Sequence, residues 1–362
     1  MRIHGILPAL IPLCSRSVIT VLGAALNLSI LERMPSTHTR DITVGQLGEA
    51  GILELLNASF ARYATGEGVL GPGDDAAIIP APRGNFVIST DAMNEGHHFL
   101  RTWPSGIVDN GFSTGWKLVA QNVSDMNAMG AVTSAISLSL SMPQDTPAHW
   151  VTKFGQGIIA ALYWLGAEDT IVSGGDLSRA DNLGVALTTT GSSVAAPTLR
   201  KAAENVEGFH LIHSGNVGYS GAGLTVASQG DRGDLSREEL AALRLFFRPR
   251  PQLAAGPAVV GIVSAMMDVS DSLLTDADRL ASANGLNAAI DQDWVDQRAK
   301  PLSLIAQKYG VDPRDWVLTG GEDYGLLAVL NPDVAVPAGW EIIGRLTSEP
   351  QERPTVTGWD HF

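Results

Sequence analysis

The sequence predicts an α/β fold of the α+β sandwich type, divided into two domains. Three observations support this. A chain of 362 residues is longer than the roughly 100–200 residues typical of one domain. It is 45% hydrophobic and 17% charged, with 39 glycines, the balance of a well-cored protein with many tight turns. Segments of helical period alternate along it with segments of period two.

The elements follow in order. Ile52, Leu55, Leu56, Phe60 and Tyr63 recur at helical spacing within 41–64, and Gly66 and Gly68 stop the pattern. A glycine-rich loop then leads to strands over 76–80 and 86–90, which puts Asp75 and Asp91 at strand ends. Residues 113–129 predict a helix with Trp116, Val119, Val123 and Met126 on one face and Asn122 and Asp125 on the neighbouring face. A strand over 132–142, a helix over 148–166 and strands over 170–172 and 184–190 complete a first domain, 41–195. The polar stretch 199–208 marks the boundary, and a second domain runs over 205–362. It restarts with a strand at 209–213, a glycine-rich turn at 215–223 and helices near 237–247 and 252–264. The run 265–269 delivers Asp268 to an amphipathic helix with Leu273, Leu274, Ala277, Leu280 and Ala281 inward, ending at Asn284-Gly285.

Residues 1–33 differ in character. The apolar stretch 18–26 resembles a short signal core, but it lacks a clean cleavage site, and Asn27 and Ser29 break it too early for a membrane span. The expectation is a disordered extension or an upstream start, with no membrane association. A net charge of −14 excludes a basic nucleic-acid face. The single cysteine, Cys14, excludes an intrachain disulfide framework and points to a reducing, cytoplasmic setting.

Aspartates recur in short Gly/Ser-rich settings: Gly73-Asp74-Asp75, Ser89-Thr90-Asp91, Ser124-Asp125, Gly174-Gly175-Asp176, Asp268-Val269-Ser270-Asp271 and Gly320-Gly321-Glu322-Asp323. Small neighbours let backbone and ligand approach closely, and hard carboxylate oxygens suit Mg²⁺. Two unit charges ~4 Å apart repel by about 4 kcal/mol at an effective dielectric of ~20, so converging carboxylates need cations. Together the motifs point to several Mg²⁺ ions and a phosphorylated ligand, hence a nucleotide enzyme. Taken singly, Asp74 and Asp75 read equally well as turn residues, Asp271 as the cap of the following helix and Asp125 as a solvated helical position. His97-His98 reads as a loop pair without zinc-site spacing. Gly66-Glu67-Gly68-Val69-Leu70-Gly71 matches a dinucleotide fingerprint but follows a helix and precedes Pro72, which excludes that reading. No P-loop and no protein-kinase catalytic loop occurs.

The residues Gly71–Ala77, Ser89–Phe99, Asn122–Gly130, Gly174–Asp176, Asp268–Asp271 and Gly320–Tyr324 resemble, in order and spacing, those of the thiamine-monophosphate kinases. The likeness spans about residues 41–362. It implies an N-terminal mixed sheet with helices that pairs across a homodimer, a C-terminal α/β domain, and transfer of phosphate from ATP to thiamine monophosphate. Asp75, Asp91, Asp125, Asp176, Asp268 and Asp271 match its metal ligands, with Asp125, Asp271 and Asp75 at the chemistry. Thr90, Gly175, Arg200 and Ser270 match its ATP contacts. His98 and Glu322 match its substrate contacts, and Trp359 is the candidate to replace the ring-stacking aromatic that some members carry where this chain has Val356. The chain departs from the pattern at Ser272 and Gly325, where a glycine and an acidic residue are usual, over 202–208, and at Val356. Two other readings stay open: a relative acting with ATP on a different small substrate, and a non-catalytic nucleotide- or metal-binding protein.

Overall fold

The computed structural model describes residues 42–351, except 82, 194 and 197. Residues 1–33, Val356 and Trp359 lie outside the described residues.

Two sheets carry the fold. The first helix, α1 (Val44–Phe60), opens on a capping box in which Thr43 and Gln46 bond each other's backbone N–H groups. The first sheet contains β1 (Asn85–Asn94), β2 (Val132–Met142), β3 (Ile171–Arg179) and β4 (Gly184–Ser193). Its order is β1-β4-β2-β3; β2 and β3 run parallel and the other pairs antiparallel, so the sheet is mixed. Two further helices, α2 (Phe112–Ala128) and α3 (Ala148–Leu165), pack against one face with α1 outside them. Their core includes Val119, Val123, Phe154, Ile158, Leu138 and Leu187. The other face of this sheet is open: Phe86, Ile88 and Val132 are all more than half exposed.

The second sheet is built from β5 (His210–Ser214), β6 (Ala265–Asp268), β7 (Asn287–Ile290), β8 (Leu326–Leu330) and β9 (Glu341–Thr347), ordered β6-β8-β5-β9-β7 and antiparallel throughout. Its helices are α4 (Tyr219–Gln229), α5 (Arg237–Phe247), α6 (Ala255–Val259), α7 (Leu273–Ala283), α8 (Gln292–Ala299), α9 (Ser303–Tyr309) and α10 (Pro313–Thr319). Both faces are covered. Leu211, Met267 and Leu327 meet α4, α5 and α7, while Ile212, Met266 and Ala328 meet α6 and Ala128 at the end of α2.

Helix α2 joins the two sheets. Trp116 Nε1 donates to Pro249 O at 2.8 Å, and Asn127 Nδ2 to Gln252 O at 3.0 Å. Gly256 N–H in turn donates to Asn127 Oδ1 at 2.9 Å. Asp109, buried ahead of the helix, accepts from the N–H groups of Gly111, Ser113 and Thr114. A carboxylate at this end also complements the helix dipole.

Four local expectations change. Residues 76–80 form only an isolated bridge, Ile78 to Leu70, because Pro80 ends the run after one pair. Asp91 lies inside β1, not at its end. The helix in 252–264 is confined to Ala255–Val259, and Gly261 beyond it has φ 79. The stretch 215–223 is a turn only as far as Gly218, after which α4 begins. Its Gly223 is required by packing, since a Cβ there would stand 2.5 Å from Ala242 O of α5.

Candidate active site

A cleft of about 500 Å³ opens where β1, α2 and the ends of β6 and β8 meet. Ser89 and Asp91 point from alternate positions of β1 toward α2. Asn122 Oδ1 accepts the Asp91 N–H at 3.2 Å, and Ser89 Oγ donates to Asp125 Oδ2 at 2.5 Å. Across the gap between the sheets, Ser124 Oγ donates to Asp268 Oδ2 at 2.9 Å. Asp91, Asp125 and Asp268 are thus gathered around one turn of α2.

Their electrostatics show the crowding. Burial, then the neighbouring Asp125, pushes Asp91 up to about 7. Burial, reinforced by Asp125, pushes Asp268 up to about 8. Asp125 is also raised by burial, against the opposing effects of Ser89, Asp91 and the more distant Arg200 guanidinium. Desolvation and like charge both favour the neutral carboxyl. A divalent cation would reverse that preference, and the carboxyl oxygens are donors suited to Mg²⁺. The donor chemistry therefore fits a metal. The spacing is not preassembled, because among the described residues no three His, Cys, Asp or Glu side chains form a metal-binding group.

Asp271 lines the same cleft, but its carboxylate is paired with Arg279. It does not cap α7. Ser272 does, accepting from Thr275 N at 3.1 Å. The loop 270–272 is instead shaped by Asp276, whose Oδ2 accepts from the N–H groups of Ser270, Asp271 and Ser272.

The other nominated residues divide by location. Ser270, His98 and Glu322 line the cleft. His98 Nδ1 accepts the Asn94 N–H at 3.1 Å. Arg200 is exposed, close enough to act on Asp125 through its charge, and its carbonyl accepts from Asn284 Nδ2. Asp75 sits in an exposed turn in which its N–H bonds Asp74 Oδ1. Gly175 is in register with Leu138, Leu187 and, across the sheet, Asp91. Three strand steps separate it from Asp91, about 14 Å. A Cβ at Gly175 would meet Leu138 O at 1.6 Å, so strand packing alone accounts for that glycine. Asp176 and Thr90 lie on the open face of the first sheet, opposite the helices, where Thr90 Oγ1 is 2.9 Å from Thr188 Oγ1. Within one chain, then, the structure brings Asp91, Asp125, Asp268 and Asp271 to one cleft and leaves Asp75, Asp176 and Thr90 outside it.

Sequence reasoning missed the opposite wall of the cleft, where Trp103, Phe246 and Trp316 are found. The Trp103 and Phe246 rings meet edge to face at 5.2 Å, and Trp316 Nε1 donates to Thr225 Oγ1 at 3.1 Å. Lys117 was also missed. It lies two four-residue steps before Asp125, a stripe visible in the sequence once the helix is assigned.

Residues 73–193 match the family described as AIR synthase related protein, N-terminal domain. The thiamine-monophosphate kinase of Mycobacterium tuberculosis is 33% identical over 339 residues, covering 90% of this chain and 95% of that one. The chain belongs to the thiamine-monophosphate kinase family. Membership makes it a kinase, a phosphotransferase. The family member from Aquifex aeolicus is 29% identical over 285 residues, covering 78% of this chain and 85% of that one. The solved structure of AaThiL complexed with AMPPCP and TMP superposes with a TM-score of 0.67 at 27% identity, covering 88% of this chain and 98% of that chain.

Proposed function

We propose that this kinase transfers the terminal phosphoryl group of ATP to thiamine monophosphate, giving ADP and thiamine diphosphate by direct in-line displacement. The observation that carries this reading is the facing of a carboxyl cluster, Asp91, Asp125 and Asp268, by an aromatic wall across one cleft. One side suits phosphate through cations, and the other suits a flat organic group. The relatives' names and the AMPPCP and TMP complex support the two substrates.

Asp91, Asp125 and Asp268 would hold Mg²⁺ ions, joined by Asp271 and, by family resemblance, by Asp75 and Asp176. Bound there, Mg²⁺ would neutralise charge on the transferring phosphoryl oxygens. The chain's own contribution is placement. Ser89 and Ser124 fix one oxygen each of Asp125 and Asp268, and Asp276 shapes the loop that carries Ser270 and Asp271. Phosphoryl transfer depends mainly on such positioning. The acceptor phosphate is already largely ionised near neutral pH, its second pKa being about 6, so no side chain is assigned as general base. We further propose a homodimer paired through the open sheet face and, from the single Cys14, a cytoplasmic setting. Among the described residues no helix is long and apolar enough to cross a membrane.

The test is product formation by the purified chain with ATP and Mg²⁺, with and without thiamine monophosphate. ADP and thiamine diphosphate should appear together and only with acceptor. Binding of Mg·ATP without thiamine diphosphate formation would overturn the assignment.

A further inference from the structure

Lys117 is nearly enclosed, its side chain 4% exposed. Lysine is seldom buried without a partner, because desolvating its ammonium is costly. Here Nζ donates to Glu322 Oε2 at 2.8 Å and lies 4.0 Å from the centroid of the Phe246 ring. A carboxylate and an aromatic face together offset that cost.

Glu322 is held in an unusual conformation. Its φ is 63° and that of Tyr324 is 53°, the left-handed region that costs non-glycine residues about 1–2 kcal/mol each. The surrounding chain enforces it. Glu322 N–H donates to Ser270 O at 2.8 Å and Tyr324 N–H to Val269 O at 3.1 Å. A Cβ at Gly321 would stand 2.6 Å from Asp271 O, so only glycine allows this approach. Asp323 turns the other way and accepts from Gly218 N–H at 2.5 Å and Ser220 N–H at 2.9 Å. The loop thereby presents Glu322 to the cleft and anchors itself through Asp323. Strain of this kind persists where the surroundings over-determine it, commonly at functional sites.

Lys117, Gln121 and Asp125 form one stripe of α2. Eight residues at 1.5 Å rise separate its ends by about 12 Å. The acidic cluster thus stands at one end of the stripe and the Lys117–Glu322 pair at the other, beside Phe246 and Trp103. Resting on the function proposed above, an acceptor with its phosphate at the acidic end extends its organic, cationic end toward Glu322. Lys117 occupies Oε2 of Glu322; among the described residues no hydrogen bond reaches Oε1.

We propose that Lys117 is a positioning residue for the acceptor: by pairing with Glu322 it fixes that carboxylate at the cleft wall, where it receives the cationic heteroaromatic end of thiamine monophosphate. Lys117 acts through Glu322 and touches neither ATP nor the transferring phosphate.

The test is steady-state kinetics on wild type, Lys117→Met, Glu322→Gln and the double variant, with ATP and thiamine monophosphate each varied and thermal melting run in parallel. Lys117→Met and Glu322→Gln should each raise KM for thiamine monophosphate at least tenfold and leave KM for ATP within twofold. The double variant should be no worse than the worse single variant, because both changes remove one interaction. If Lys117→Met unfolds because it strands the Glu322 charge, the double variant, neutral at both positions, carries the test with the same acceptor-selective rise. An unchanged acceptor KM, or equal rises for both substrates, would overturn the proposal while the function stands. Wild type forming no thiamine diphosphate overturns both.

Discussion

A carboxyl buried among other carboxyls resists ionisation, and Asp268 shows what that does to stability. Its folded pKa, about 8, lies above the ordinary 3.8. The folded chain therefore binds this proton more tightly than the unfolded chain, and stability falls as pH rises from about 4 through 8. Asp268→Asn removes that loss. Without metal it should melt higher than wild type at pH 8, and it should lose most turnover. A melting temperature equal to or below wild type would contradict the crowding argument. His213 has the opposite dependence. Its imidazole is buried in β5, its ring 5.8 Å from that of Trp294, and among the described residues Nε2 has no partner. Burial, then Arg298, lowers its pKa from 6.5 to about 4. The stability it permits is complete above pH 6.5 and is lost as pH falls toward 4. At about 1.36 kcal/mol per unit, the loss from pH 6.5 to 5 is about 2 kcal/mol. His213→Leu should flatten this limb in denaturant titrations, and parallel profiles would refute the assignment. The same ring explains Gly325, since a Cβ there would stand 2.5 Å from Nε2. The departure from the acidic residue usual at 325 reflects space already taken by His213.

Ser272, a second departure, is settled by its place in an element. It is the N-cap of α7, its φ is −179°, and its hydroxyl accepts from Thr275 N–H. Extended backbone makes no demand for glycine, and exchanging a serine cap for glycine costs only a few tenths of a kcal/mol. Ser272→Gly should leave turnover unchanged within twofold and melting within 2 °C. Ser272→Ala, which removes the cap, should cost about 1 kcal/mol in chemical denaturation. Equal stability of the two variants would show that the cap contributes nothing. Elements of this kind were legible in the sequence wherever one physical signal dominated. The 113–129 and 237–247 helices and the 132–142 strand lie within a residue of the structure because their apolar periods run unbroken. Helix α4 was not legible, because its glycines and serines serve close packing against α5 and resemble a turn in sequence. Strand β3 runs through Gly174-Gly175-Asp176, where Gly175 accommodates Leu138 rather than breaking the strand. In the cleft, the carboxylates were legible as motifs. Lys117, Trp103 and Phe246 were not, since a buried lysine and two core aromatics acquire meaning only through contacts 129 or more residues away in sequence for the Lys117 pairs, such as Lys117–Phe246.

At the scale of the whole molecule, the first sheet is covered on one side only. Phe86, Ser192 and Val132 share one row of its open face, and Ile88 follows two residues along β1. Thr90 and Asp176 lie on the same face, in neighbouring rows. Apolar side chains exposed this far along a sheet favour a partner surface, and the two-fold pairing proposed above would supply it from an identical sheet. That arrangement has a consequence for the site. Thr90 and Asp176, the residues that one chain keeps away from the cleft, would lie at the interface between two chains. Ile88→Asp places a charge on this face without touching the α2 side of the sheet. In sedimentation at micromolar concentration it should shift the protein from dimer to monomer, with melting of the isolated chain lowered by less than 2 kcal/mol in equivalent stability. Turnover should fall at least tenfold, and the remaining activity should rise with protein concentration as dimers re-form. A monomer with wild-type turnover would separate catalysis from assembly and leave Thr90 and Asp176 without a part in it. A dimer that survives Ile88→Asp would place the contact on another face of the molecule.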